Sequence, residues 1–215
     1  MSRQPDLRGR MAELEARAST QTKDLIDRDL HRVGRQGLNV SDAAAVTHRD
    51  ALRSVLLAWC VEHPDDYHQA MSHVAAALLV AGSDAPTATS SDECAPTAAP
   101  YDVDLTYHRF RLLVASLPAC FYDDALRGCR VEVRALWLLA SDPQFRTREH
   151  EATLLAPGLR EAFELVATQW LLTIMASVLP LACTHRLWQR MTAGSSGWGG
   201  LGAIKCTPTV VFAPV

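Results

Sequence analysis

Apolar residues recur along most of this chain at the three-and-four spacing of a helix with one buried face, and almost nowhere at the alternation of a strand. Residues 5 to 18 are rich in Arg, Glu and Ala with few large apolar groups, so they predict an exposed helix that frays. Residues 22 to 33 form a short charged helix with Leu25, Ile26, Leu30 and Val33 as its apolar members, stopped by Gly34 and Gly37. Ser41 is placed to cap a longer helix whose buried face carries Leu52, Val55, Leu56, Trp59 and Cys60, ended by Pro64. The next helix is predicted from about Asp66 to Val80 on the stripe Met71, Val74, Ala75, Leu78 and Leu79, with Gly82 as its C-cap. Helical pattern resumes at Val103 through Leu105, Phe110, Leu113, Val114 and Leu117 to Pro118. It continues around 123 to 140 through Leu126, Val133, Leu136, Trp137 and Ala140 to the Asp142-Pro143 break. Glu161 to Ala176 and Leu181 to Met191 complete the series. The sum is an all-α domain of several packed helices.

Two stretches fall outside that pattern. Residues 83–102, Ser/Thr/Ala/Pro-rich and nearly free of large apolar side chains, predict a surface loop insert. Residues 195–215, Gly-rich and then Val210-Val211-Phe212 between prolines, predict an irregular tail. With residues 1–20 read as a polar helical N-terminal segment, the main domain spans 21–194.

Composition narrows the classes. A chain of 215 residues, 48% hydrophobic, can bury a sizeable core, which argues against disorder of the whole. The net charge of -3 gives no electrostatic reason to expect nucleic acid or an anionic membrane as partner. The six cysteines, Cys60, Cys94, Cys120, Cys129, Cys183 and Cys206, form no CxxC pair, and several sit among apolar residues as reduced core cysteines do. The first residues lack the apolar core of a signal peptide. Leu165 to Cys183 approaches a membrane span in length, but Gln169, Trp170, Thr173 and Pro180 make a buried helix followed by a break the better reading. The histidines are scattered without a metal-binding spacing. Trp59, Trp137, Trp170 and Trp188 fit helix core positions, whereas Trp198 lies in the tail. No Gly-rich phosphate loop is present, so the chain is not expected to bind GTP itself. The serines lack a nucleophile-elbow context.

Two clusters carry candidate chemistry. In Ile26-Asp27-Arg28-Asp29-Leu30-His31-Arg32, Asp29 and Arg32 are three apart and share a helix face. A carboxylate there can hold a guanidinium in one rotamer, although the pair alone reads more readily as an exposed ion pair worth little. In Tyr67-His68-Gln69-Ala70, Gln69 lies at a helix start, where N–H groups face bound anions. An amide side chain can accept from a water and donate to a phosphate oxygen, although alone it also reads as a capping residue.

Together and in this order, the Ile-x-x-Asp-x-x-Arg and Tyr-x-Gln patterns resemble the two signature motifs of the TBC domain of Rab GTPase-activating proteins. Trp170-Leu171-Leu172-Thr173-Ile174-Met175, Leu179-Pro180-Leu181 and Arg186-Leu187-Trp188 are similar to the family's Trp-Phe-Leu-Thr-Leu-Phe, Phe-Pro and Arg-Leu-Trp-Asp. Leu117-Pro118 and Gly128 fall where the family has a Leu-Pro and a Gly. The resemblance runs from about Leu25 to Gly194. It implies that a GTP-bound Rab-type GTPase is the partner, with Arg32 its arginine finger and Gln69 its glutamine finger. Asp29 would position Arg32, and Tyr67 would support the loop carrying Gln69. No cofactor is implied for this chain, since GTP and Mg²⁺ belong to the GTPase. The location implied is cytoplasmic, with endomembranes reached only through the GTPase.

The sequence departs from the family at Val33, Asp66, Ala70 and Gln189, where the family has Thr, Gly, Gly and Asp. Ala70 would cost stability if its position required positive φ, and would be tolerated if the helix had already begun. The expectation is of a TBC-like domain shortened at both ends, with an incomplete C-terminal half whose helices expose apolar faces. A TBC-like adaptor that binds a GTPase without accelerating hydrolysis is the alternative; a chain that does not fold stably is a third.

Overall fold

A helix that is apolar around its whole circumference has to be covered on every side. The third helix of this protein is such an element: from Ala51 to Cys60 every residue is buried except Arg53. The sequence pattern showed only one of its faces. The computed structural model describes residues 7, 9–33, 42–64, 66–82, 101–142, 144 and 157–193, with the backbone alone for residues 32, 42–45, 81 and 82. The described residues form helices and no strand: α1 (Met11–Arg17), α2 (Thr20–Val33), α3 (Asp42–Glu62), α4 (Ala70–Gly82), α5 (Val103–Ala115), α6 (Arg127–Ala140), α7 (Leu159–Leu172) and α8 (Leu181–Met191). The predicted Ser41 cap, the Gly34, Gly37 and Gly194 stops, nearly all of the 83–102 insert and the 195–215 tail lie outside the described residues.

Helices α1, α2, α4 and α5 surround α3. Leu14, Ile26, Leu52, Leu56, Met71, Leu78, Phe110 and Leu113 are fully buried in the core they share. The N-terminal helix predicted from composition forms with most of its residues exposed, and it is anchored at a few points. Leu7 and Leu14 are both buried, the Leu7 N–H donates to Asp104 at 2.9 Å, and Glu15 receives Arg53 of α3. The two apolar anchors are supplemented by polar bonds to α3 and to Asp104, which a low apolar count does not reveal.

The C-terminal helices form a second group. α6 packs on α7, with Trp137 and Phe163 rings 5.2 Å apart, while α8 rests on α4. This group is thinly covered: Val131, Leu138, Leu139, Leu165 and Val166 are exposed, Leu165 by 76%. Among the described residues no helix is long and apolar enough to cross a membrane.

The close of α7 differs from the sequence reading, which ran helix to Ala176. The helix ends at Leu172. Ile174 N–H donates to the Leu171 carbonyl at 2.8 Å and Met175 N–H to the Trp170 carbonyl at 2.7 Å. These are the paired bonds of a Schellman cap, built here on a left-handed isoleucine (φ 48°) instead of glycine. Trp188, fully buried in α8, donates its indole N–H to the Ile174 carbonyl at 2.8 Å and pins the strained turn.

Candidate functional site

Helix α2 buries Ile26, Leu30 and Val33, and Asp29 lies on that same inward face, only 6% exposed. A carboxylate so placed must be hydrogen-bonded to be tolerated. Tyr67 supplies one bond, donating its hydroxyl to Asp29 Oδ2 at 2.9 Å. Burial, then the Asp29 charge and this bond, push the Tyr67 phenol well above its ordinary range, so it remains a donor at any physiological pH. The first and second motifs, distant in sequence, are thereby joined by side chains beneath the surface.

The second motif precedes α4 and does not start it; the sequence reading had begun that helix at Asp66. Residues 66 to 69 form a short connection held from several sides. The Trp59 indole N–H donates to the Asp66 carbonyl at 3.1 Å, and the His63 ring stacks on Trp59 with centroids 3.8 Å apart. The Ala70 N–H donates to His68 Nδ1 at 3.1 Å, so in this tautomer His68 caps α4. Burial lowers the His68 pKa, against a smaller opposing effect of the Asp29 charge, and the neutral ring this cap requires is favoured. The His68 ring lies beside Tyr122, centroids 5.6 Å apart, and the Tyr122 hydroxyl donates to the Leu172 carbonyl at 2.8 Å.

Gln69 is exposed. Ala70, in the position of the family's glycine, is the first residue of α4 and does not have positive φ, so alanine is accommodated without strain. Arg32 lies in the last turn of α2, one helical turn after Asp29, and its side chain is outside the described part of the structure. Thus Asp29, Tyr67 and Gln69 are brought into one assembly, with Arg32 carried by the helix that supplies Asp29.

Gly128 explains itself by contact. A Cβ there would lie 2.6 Å from the Ala119 carbonyl oxygen and 2.8 Å from the Phe121 backbone, and the Gly128 N–H donates to the Cys120 carbonyl at 2.9 Å. The segment that carries Tyr122 is held against α6 by that close approach.

The family model of the Rab-GTPase-TBC domain matches residues 2–198. The chain belongs to the RabGAP-TBC family. Comparison with curated proteins and with solved structures gives no match. The matched span of this TBC domain takes in α1, which the sequence reading had set apart. The partner class that such a domain implies is a Rab-type small GTPase.

A cleft of about 700 Å³ opens beside the second motif, lined by Trp59, His63, Asp66, Arg111, Phe121 and Tyr122 among others. Asp29 and Gln69 do not line it. Among the described residues no group of His, Cys, Asp and Glu could hold a metal ion. Sequence reasoning passed over Trp59, His68 and Tyr122 as parts of the site. Trp59 reads as a core aromatic, Tyr122 belongs to no motif, and the one available signal was the position of His68 inside the Tyr-x-Gln motif.

Proposed function

We propose that this TBC domain accelerates GTP hydrolysis by a GTP-bound Rab-type GTPase, with Arg32 as arginine finger and Gln69 as glutamine finger. In this reading the Gln69 carbonyl accepts from the attacking water while its amide donates to a phosphate oxygen. The water oxygen bonds to the γ-phosphorus as the bond to the β-phosphate oxygen breaks, and the Arg32 guanidinium neutralises charge on the transferring group. Such a finger is worth roughly 10³ to 10⁵ in rate. Nucleotide and Mg²⁺ come with the GTPase, and no covalent intermediate forms on this chain.

The observation that carries the reading is the Tyr67–Asp29 hydrogen bond. Two fingers act together only if their carriers are held in fixed relation. Asp29 precedes Arg32 by one turn, and Tyr67 precedes Gln69 by two residues, so one buried bond couples both carriers. The binding-only alternative drew in part on the altered glycine positions 66 and 70; neither Asp66 nor Ala70 has positive φ, which weakens that part of its motive. The domain acts from the cytoplasmic side, reaching endomembranes through its GTPase in vesicle trafficking.

The test is single-turnover GTP hydrolysis by a panel of purified Rab GTPases with wild-type protein, Arg32→Ala and Gln69→Ala. One responsive Rab, with either substitution removing most of the acceleration, supports the proposal. A folded wild type that binds a Rab and accelerates none would return the assignment to an adaptor.

A further inference from the structure

Gln69 is exposed, so packing does not hold its side chain in place; only its backbone can set where it projects. That backbone is fixed by bonds on both sides. His68 Nδ1 accepts from Ala70 N–H at 3.1 Å, and the His68 carbonyl accepts from Met71 N–H at 2.9 Å. The Gln69 carbonyl accepts from the Ser72 hydroxyl at 2.7 Å. The first of these bonds closes a ring around Gln69 itself. The imidazole that makes it is in turn held against Tyr122, whose hydroxyl is tied to the end of α7.

Resting on the two-finger reading, we infer that His68 is a positioning residue for Gln69, and that it acts only with Nδ1 unprotonated. An imidazolium donates from both nitrogens and accepts at neither. Protonation therefore sets a donor against the Ala70 N–H and releases the ring that fixes the finger. A short capping side chain such as Asn could satisfy the same N–H without titrating. The histidine adds a stacked face and, with it, a dependence on pH. The described titratable groups that face it are Asp29 of α2, whose charge favours the proton, and Tyr122 of the α5–α6 connection; burial outweighs Asp29 and favours the neutral ring. Activity should be full at neutral pH and decline as pH falls below about 6.5.

The experiment is single-turnover hydrolysis by a responsive Rab, titrated with activator to separate maximal rate from KM, across pH and with the Rab's intrinsic rate subtracted. The proteins are wild type, His68→Phe, His68→Asn, Gln69→Ala and the double variant His68→Phe/Gln69→Ala, each verified as folded by circular dichroism. His68→Phe keeps a stacking ring without an acceptor; it should lower the maximal rate about five- to tenfold, the equivalent of one neutral hydrogen bond, with KM nearly unchanged. His68→Asn should restore most of the rate and abolish the acid limb of the pH profile. In the Gln69→Ala background, His68→Phe should cost nothing further. A full effect of His68→Phe in that background overturns the inference and leaves the fingers standing, as does an acid limb that persists in His68→Asn. That pH arm decides the matter even where the Phe variant does not fold. No loss on Gln69→Ala overturns the two-finger reading itself.

Discussion

At the scale of single residues the account turns on a buried carboxylate. Asp29 is nearly inaccessible and accepts a hydrogen bond from Tyr67. Tyr67→Phe keeps the ring and removes that donor, leaving the carboxylate one partner short. Such a loss costs about 1–3 kcal/mol, read as a lower urea midpoint at unchanged m-value. Hydrolysis should slow as well, because the carriers of Arg32 and Gln69 lose their common tie. Both residues were legible as motif positions, but their bond was not: periodicity assigns a residue to a face and does not say which distant side chain meets it. Histidines give a second prediction at this scale. Burial lowers the pKa of His48, His68, His73 and His185. The unfolded chain therefore binds protons first as pH falls, so the stability these groups contribute is whole above about pH 6.5 and is lost as pH drops through their lowered folded-state values. Urea midpoints should be nearly constant above about pH 7 and fall as pH drops from about 6.5 to about 5, and a flat series would contradict it.

The elements were largely legible because three-and-four spacing marks amphipathic helices wherever one face is buried. Their ends were less so. α4 begins at Ala70 because the preceding residues are held by Trp59, Tyr122 and the His68 cap, and contacts from other segments leave no local trace. α7 stops at Leu172 because Trp188, on the next helix, pins a left-handed Ile174 that propensity alone would continue as helix. Gly128 was legible as a family position, and its reason appears only in the structure, where the backbone of 119–121 fills the space a Cβ would need. Gly128→Ala should therefore destabilise the protein by about 1–3 kcal/mol, since the obstructing atoms belong to backbone. Calorimetry should show Tm lowered by about 2–4 °C for each kcal/mol.

Over the whole molecule, a well-covered N-terminal group built on α3 carries both motifs, and a thinly covered C-terminal group supports it. The bonds between the described residues of the two groups include Tyr122 to the Leu172 carbonyl, and His185 Nε2 with the Ala77 carbonyl at 3.1 Å. The apolar surface on α6 and α7 follows the expectation of helices that expose apolar faces. The native protein should bind a dye specific for apolar surface, and Leu138→Gln with Leu165→Gln should reduce that signal without lowering Tm, because both side chains are already in water. The central claim concerns the other group, where Arg32 and Gln69 are proposed to complete a partner's catalytic site. Its most direct measurement is single-turnover hydrolysis by a responsive Rab whose own catalytic glutamine has been replaced by leucine. A glutamine supplied in trans predicts that wild-type protein still accelerates this GTPase and that Gln69→Ala does not. Failure of the wild type to accelerate it, while accelerating the unmodified Rab, would contradict the account.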